Sequence, residues 1–86
     1  MRISVELTLS PLQDDFETPV IAFIKKLRDS GLTVLENPLS TQVFGGYNEV
    51  MELLNSEIKE SFENLDDVVL TMKMVKSDRS EYEPHF

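Results

Sequence analysis

The sequence has no cysteine and no tryptophan, and its one histidine, His85, lies beside the C-terminus. Without cysteine the chain has neither disulfides nor thiolate metal sites. A lone histidine in a polar terminal segment is a poor basis for an imidazole-rich catalytic or metal centre. We therefore expect no enzyme activity, no bound metal and no cofactor.

Long apolar runs are also missing. No segment approaches the roughly 18 consecutive apolar residues of a membrane-spanning helix, and residues 1–6 lack the apolar core of a secretory signal. These absences predict a cytoplasmic protein that has no membrane partner.

Positive charge is scarce, because 8 Lys and Arg stand against 16 Asp and Glu and leave a formal net charge of −8. Proteins that bind nucleic acid neutralise its phosphates with clustered Lys and Arg. Nucleic acid is therefore not an expected partner, whereas a cationic ligand would be tolerated. The acidic excess is itself typical of a solvated surface.

The residues that are present fit one compact domain, since the chain has 86 residues of which 41% are hydrophobic. We assign residues 1–77 to a ligand-binding domain and residues 78–86 to a C-terminal tail. The tail is polar and contains a proline. We expect it to be ordered only if another part of the protein holds it.

The first half of the chain predicts a strand and then a helix. Its first apolar residues alternate with polar ones, at Ile3, Val5, Leu7 and Leu9. This is the period of a strand with one covered face, and Pro11 ends that strand. Thr18 and Pro19 fit the N-cap and the first position of a helix, which Gly31 stops.

The second half predicts a hairpin, a helix and a last strand. Two short apolar runs, residues 32–36 and 41–44, are separated by the turn residues 37–40. Gly45 and Gly46 end the second run. From Tyr47 to about Asn64, apolar residues recur at helical spacing, at Val50, Met51, Leu54, Ile58 and Phe62. Residues 67–76 form the final strand.

The order strand, helix, strand, strand, helix, strand is the split-βαβ pattern of ferredoxin-like α+β domains. Right-handed crossovers then predict a four-stranded antiparallel sheet in the order 4-1-3-2, with both helices on one face. Strands one and three run in opposite directions, so Leu9-Ser10 at the end of the first lies beside Ser40-Thr41 at the start of the third. This corner is the candidate ligand site.

Several short segments resemble the YkoF-like family of thiamine- and hydroxymethylpyrimidine-binding proteins. The resemblance extends over about residues 3–76 and is carried by residues 7–12, Asp14-Asp15-Phe16, Ser40-Thr41 and Gly45. Members are small ferredoxin-like domains, single or in tandem. In them the pyrimidine is held near the end of the first strand and by a threonine at the start of the third. The resemblance therefore implies that Leu9 and Thr41 bind the ligand.

Four residues are candidate ligand contacts: Leu9, Ser10, Ser40 and Thr41. The Thr41 hydroxyl suits an aminopyrimidine edge, although a β-branched residue in a strand needs no function. Leu9 offers backbone groups if the strand end leaves them unpaired, and is otherwise core. The serines contact the ligand or are turn residues. Phe16 and the loop before the first helix are expected to form a partial lid.

The sheet face opposite the helices is predicted to be half apolar. Alternation places on it Ser4, Glu6, Thr8, Gln42, Phe44, Val69, Thr71, Lys73 and Val75. Such a mixture suits a homotypic sheet-on-sheet interface, so we expect self-association as a dimer or tetramer. Glu6 and Lys73 are expected to pair across neighbouring strands.

Two functions are compatible with these patterns. The first is a non-catalytic binding protein for thiamine or its hydroxymethylpyrimidine moiety. The alternative is a ferredoxin-like oligomerisation or regulatory module with a different ligand or none, and the effect of thiamine on the melting temperature distinguishes the two. An acylphosphatase-type enzyme is disfavoured, because the loop at residues 11–15 is acidic and has no phosphate-binding arginine.

Overall fold

The computed structural model describes residues 1–86, and its elements follow the predicted order. They are β1 (Arg2–Pro11), α1 (Glu17–Arg28), β2 (Thr33–Glu36), β3 (Thr41–Gly46), α2 (Tyr47–Asn64) and β4 (Val68–Val75). The strands form a 4-stranded antiparallel sheet in the order β2-β3-β1-β4. The predicted order is this arrangement counted from the other edge, so the ferredoxin-like α+β prediction is confirmed. Neither α1 nor α2 has the combination of length and hydrophobicity that a membrane-spanning helix needs.

One face of the sheet packs against both helices and carries the core. Its buried members are Ile3, Val5, Leu7, Leu9, Phe23, Leu27, Val43, Val50 and Leu54. The β1 residues among them are the apolar positions of the alternating pattern. Phe23 and Leu27 lie one turn apart on α1, as Val50 and Leu54 do on α2. Each helix therefore presents one apolar stripe to the sheet.

α1 begins earlier than predicted. The predicted N-cap, Thr18, lies inside the helix, whose first residue is Glu17. The Asp15 carboxylate accepts hydrogen bonds from the Thr18 backbone N–H (3.3 Å) and from its hydroxyl (3.0 Å). An aspartate side chain in this position satisfies a free N–H of the first turn as a capping residue does. Asp15 therefore caps the helix, and Thr18 donates the hydrogen bonds that the cap accepts.

Two glycines are required by local geometry. Gly31, with φ of 86°, adopts the left-handed conformation shortly after α1 ends. Gly45 faces α2, and a Cβ atom there would lie 3.2 Å from Cγ2 of Val50 and 3.3 Å from Cδ2 of Leu32. The close approach at Gly45 therefore allows α2 to pack on β3.

The strand registers place every residue predicted for the open face, opposite the helices, on that face. Ser4, for example, lies between its cross-strand partners Phe44 and Val75. Ser4 and Phe44 are nonetheless only 6% and 3% exposed. Since both helices pack on the other side, a different part of the chain covers them.

The C-terminal segment, residues 77–82, provides this cover. The Ser4 hydroxyl donates a hydrogen bond to the Ser77 carbonyl (2.7 Å) and accepts one from the Arg79 N–H (2.8 Å). Tyr82 lines one cleft together with Phe44 of the sheet. The tail was expected to be ordered only if another part of the protein held it. For this segment β1 does so, through the two hydrogen bonds of Ser4.

Attachment of the C-terminal segment is expected to weaken in acid. Ser80 donates to the Asp78 carboxylate through its hydroxyl (2.6 Å) and its N–H (2.9 Å), and Arg2 donates to it at 2.7 Å. The hydrogen bonds from Ser80, followed by that from Arg2, lower the pKa of Asp78 from 3.8 to about 2. Ionised Asp78 therefore stabilises the attached segment above about pH 4, and this contribution is lost as the pH falls through about 2.

Chemical shifts of the Ser80 and Tyr82 amides, followed by NMR from neutral pH into acid, measure this loss. In the variant Asp78→Asn the acid transition should disappear, whereas Glu83→Gln should keep it. An unchanged transition in Asp78→Asn would show that another group controls the segment.

Candidate functional site

The candidate site lies at the corner where β1 extends beyond β3. β1 pairs with β3 only as far as Leu7, which is opposite Thr41. Along β4 it continues to Pro11, which is opposite Val68. The last residues of β1 therefore have no strand on the β3 side. The loop of the β2–β3 hairpin, residues 37–40, immediately precedes Thr41 and therefore lies at the same corner.

The backbone groups of Leu9 are unpaired at this gap. Successive residues of a strand direct their N–H and C=O groups to alternate neighbours in an antiparallel sheet. The Met1 carbonyl accepts from Tyr47 on the β3 side, and the Leu12 N–H donates to Asp67 on the β4 side. Odd-numbered residues of β1 therefore face β3. The ladder ends before Leu9, and no backbone hydrogen bond outside the helices and strands involves it. One donor and one acceptor thus point into the corner.

A pocket of about 130 Å³ occupies this corner. Three of the predicted contacts line it: Leu9, Ser40 and Thr41. α1 supplies an apolar wall through Val20, Phe23 and Ile24, and the hairpin loop supplies the opposite wall. No ionisable side chain lines the pocket. Its chemistry therefore suits a neutral, partly apolar group.

Thr41 brings a hydroxyl group to this pocket. It is the first residue of β3 and is only 5% exposed. None of the side-chain hydrogen bonds at this corner uses its hydroxyl. Since no fully buried side-chain oxygen of the chain lacks a partner, the hydroxyl retains contact with the open space of the pocket. It is free to bond to a ligand.

Two residues expected at the site lie elsewhere. Ser10 is exposed and pairs with Val69 on the open face, so it does not line the pocket. The reason is the strand period, which directs neighbouring Leu9 and Ser10 to opposite faces. Phe16 is 53% exposed and also lies outside the pocket. Val20, one helical turn further on, forms the wall where a lid was expected.

Ser40 is hydrogen-bonded to Glu6 of β1. The Ser40 hydroxyl lies 3.0 Å from Oε2 of Glu6, and Nε2 of Gln42 lies 3.4 Å from the same oxygen. The predicted pair of Glu6 with Lys73 is wrong, because these cross-strand neighbours form no ion pair. The Glu6 carboxylate accepts hydrogen bonds from Ser40 and Gln42 instead. Sequence spacing gave no signal for this contact, which joins residues 34 positions apart.

Asn37 fixes the conformation of the hairpin loop. Its Oδ1 accepts from the N–H groups of Leu39 (3.1 Å) and Ser40 (2.9 Å), and its own N–H donates to the Ser40 carbonyl (3.0 Å). Pro38 restricts the backbone between them. The Thr8 hydroxyl donates to the Leu39 carbonyl at 3.2 Å and so joins the loop to β1. This wall of the pocket is therefore formed before any ligand arrives.

A forked ion pair fixes β2 against α1. Nε and Nη2 of Arg28 each lie 2.7 Å from a carboxylate oxygen of Glu36. The hydrogen bonds from Arg28 lower the pKa of Glu36. Because both side chains are partly exposed, the pair contributes orientation more than stability. It anchors the residue directly before Asn37, where the loop begins.

Comparison with known proteins identifies the fold. The sequence matches no protein-family model and no curated protein sequence. Among similar solved structures, a Thermotoga maritima protein provisionally assigned to thiamine biosynthesis or salvage has a TM-score of 0.80 at 18% identity, covering 90% of this chain and 85% of that chain.

Two further structures have the same fold. A Streptococcus pneumoniae protein matches with a TM-score of 0.84 and 22% identity, over 94% of this chain and 92% of that one. A Bacillus cereus domain of unknown function, DUF77, matches with a TM-score of 0.75 and 12% identity, over 91% of this chain and 78% of that one. At these identities the likeness establishes the ferredoxin-like fold alone.

Proposed function

We propose that this chain binds thiamine, through its hydroxymethylpyrimidine moiety, at the corner pocket without transforming it. The observation that carries the proposal is the unpaired N–H and C=O of Leu9, which face the same uncharged pocket as the Thr41 hydroxyl. Buried polar groups without partners are costly. A ligand that supplies those partners therefore gains binding energy at this corner.

The chemistry of an aminopyrimidine matches these groups. Its edge carries ring nitrogens that accept hydrogen bonds and an amino group that donates them. A hydroxyl both donates and accepts, and the Leu9 backbone adds one donor and one acceptor. The apolar wall of α1 suits the ring face. A fixed ion would find no opposite charge among the lining residues.

The size of the pocket limits what enters. About 130 Å³ is well below the roughly 300–1,000 Å³ of pockets that enclose a drug-sized ligand. We infer that only the pyrimidine ring is enclosed and that the thiazolium half of thiamine stays outside. A chain of net charge −8 tolerates this cation at its surface.

The same lining supports binding without catalysis. General acid–base catalysis needs a titratable group within hydrogen-bond reach of the reacting proton. No ionisable side chain lines the pocket. The Thermotoga maritima structure, whose provisional assignment concerns thiamine, adds weak support for the ligand class.

Calorimetric titration tests the proposal. Hydroxymethylpyrimidine and thiamine should bind with one site per chain, because both carry the enclosed ring. Thiamine pyrophosphate should bind more weakly, since its phosphates add negative charge next to an acidic protein. The thiazole alcohol alone is the matched control and should give no binding. Absence of binding by both pyrimidine compounds, or binding of the thiazole alcohol, would contradict the proposal.

A ferredoxin-like oligomerisation module is the second candidate. The observation that favours it is the apolar content of the open face, where Val69 is 49% exposed. Its expected behaviour is a melting temperature that thiamine leaves unchanged. A rise in melting temperature with thiamine would favour the binding protein.

A further inference from the structure

β4 is the long free edge of the sheet. It has 8 residues, whereas the opposite edge strand, β2, has 4. β4 contains no proline, and its pairing with β1 is continuous from Val68 to Val75 without a bulge. Monomeric proteins protect such edges with charge, proline, bulges or short strands. The one charged residue of β4, Lys73, lies on the open face and leaves the edge unprotected.

The edge presents a regular row of free backbone groups. The Leu12 N–H donates to Asp67, which is the next step of the β1–β4 register. By alternation the odd-numbered residues of β4 bond to β1, so the even-numbered ones point their N–H and C=O groups outward. These are Val68, Leu70, Met72 and Met74. A strand added at this edge would meet one free N–H donor and one free C=O acceptor at each of these four residues.

An apolar groove runs beside this edge, between β4 and α2. Its volume is about 540 Å³, and its apolar lining is Met51, Leu54, Ile58, Phe62 and Met72. Phe62 is 48% exposed and Met72 is 43% exposed. Large exposed apolar side chains grouped at one place mark an interaction surface more often than a solvated one.

We propose that this edge and groove form a two-fold interface with a second copy of the chain, in which β4 pairs antiparallel with β4 of the other copy. An antiparallel ladder between identical strands satisfies the outward groups of both, and a two-fold contact is closed. The two-fold axis is perpendicular to the sheet, so both helix layers lie on the same side. The two grooves then become one continuous apolar surface.

The charges at the groove favour a second copy over other partners. Lys59 and Glu63 lie one turn apart on α2 and both line the groove. The two-fold axis makes the α2 helices antiparallel, and the proposed register has this axis midway between residues 59 and 63, so that Lys59 of each copy faces Glu63 of the other. Elsewhere the net charge of −8 makes two copies repel each other. At this groove the charges are balanced and self-complementary.

Sedimentation velocity at increasing protein concentration tests the interface. The unmodified chain should dimerise, and Met72→Lys and Met74→Pro should each weaken dimerisation by roughly tenfold or more. The Met74 N–H points outward, so proline there removes no hydrogen bond to β1. Leu35→Lys, an equally exposed substitution on the open face of β2 at the opposite edge of the sheet, is the matched control and should leave the dimer intact. Circular dichroism verifies that each variant is folded.

A charge exchange tests the two-fold symmetry. Lys59→Glu alone should weaken the dimer, and adding Glu63→Lys to it should restore the dimer. A monomeric unmodified chain would overturn the proposal, as would loss of the dimer in Leu35→Lys with retention in both β4 variants. Failure of the charge exchange to restore the dimer would overturn the antiparallel two-fold arrangement. None of these outcomes depends on whether thiamine binds.

Discussion

Replacing Thr41 with valine is expected to weaken thiamine binding by about 1–3 kcal/mol, which is roughly 5- to 150-fold in the dissociation constant. Valine keeps the branched shape but removes the hydroxyl that opens into the corner pocket. A buried ligand group that loses its only partner carries the full desolvation cost. The fold should be retained, because Thr41 makes no side-chain hydrogen bond that holds the corner together.

Calorimetry with hydroxymethylpyrimidine measures this loss, and the melting temperature of the variant verifies its stability. Ser10→Ala removes a hydroxyl just one residue beyond Leu9, but on the open face. It should bind as the unmodified chain does. Equal affinity in Thr41→Val at unchanged stability would exclude Thr41 as a ligand contact. A loss in Ser10→Ala comparable to that in Thr41→Val would instead indicate a site on the open face.

Leu27→Ala is expected to have the largest effect on stability. Leu27 is 0% exposed and belongs to the core between α1 and the sheet. Truncating a fully buried leucine costs about 2–5 kcal/mol through lost burial and the cavity left behind. Small domains have a free energy of unfolding of only about 5–15 kcal/mol. For a chain of this length each kcal/mol lowers the melting temperature by roughly 4–8 °C.

Thermal and urea unfolding followed by circular dichroism measure the cost. Leu12→Ala is the matched control, since Leu12 is 65% exposed in the loop after β1. Its effect should stay within about 0.5 kcal/mol, as for other exposed positions. Similar losses in both variants would mean that the assigned core does not carry the stability.

Periodic patterns in the sequence predicted most of the fold. The alternation from Ile3 to Leu9 identified both faces of β1, because a strand period of two leaves no other assignment. The hairpin loop at residues 37–40 was predicted with its observed limits, since asparagine and proline restrict the backbone there. The predicted limits of α2 at Tyr47 and about Asn64 agree with the structure.

Features that depend on side-chain contacts were less predictable. The start of α1 depends on Asp15, whose carboxylate reaches forward to Thr18. The Thr18-Pro19 pair, on which the predicted N-cap rested, carries no signal for this contact. The location of Ser10 on the open face could have been predicted from the same alternation, because neighbouring strand residues point to opposite faces and Leu9 faces the helices. The contact of Ser40 with Glu6 depends on the loop conformation, and no local pattern encodes it.

The attachment of the C-terminal segment to Ser4 has a consequence for the order of folding. Its hydrogen bonds join residues 73 to 76 positions apart, so almost the whole chain is enclosed by the contact. Closing so long a loop early is entropically unfavourable. The segment also needs β4 beside β1 before it can reach Ser4. We therefore expect this segment to be the last part of the molecule to join the native structure and the first to leave it.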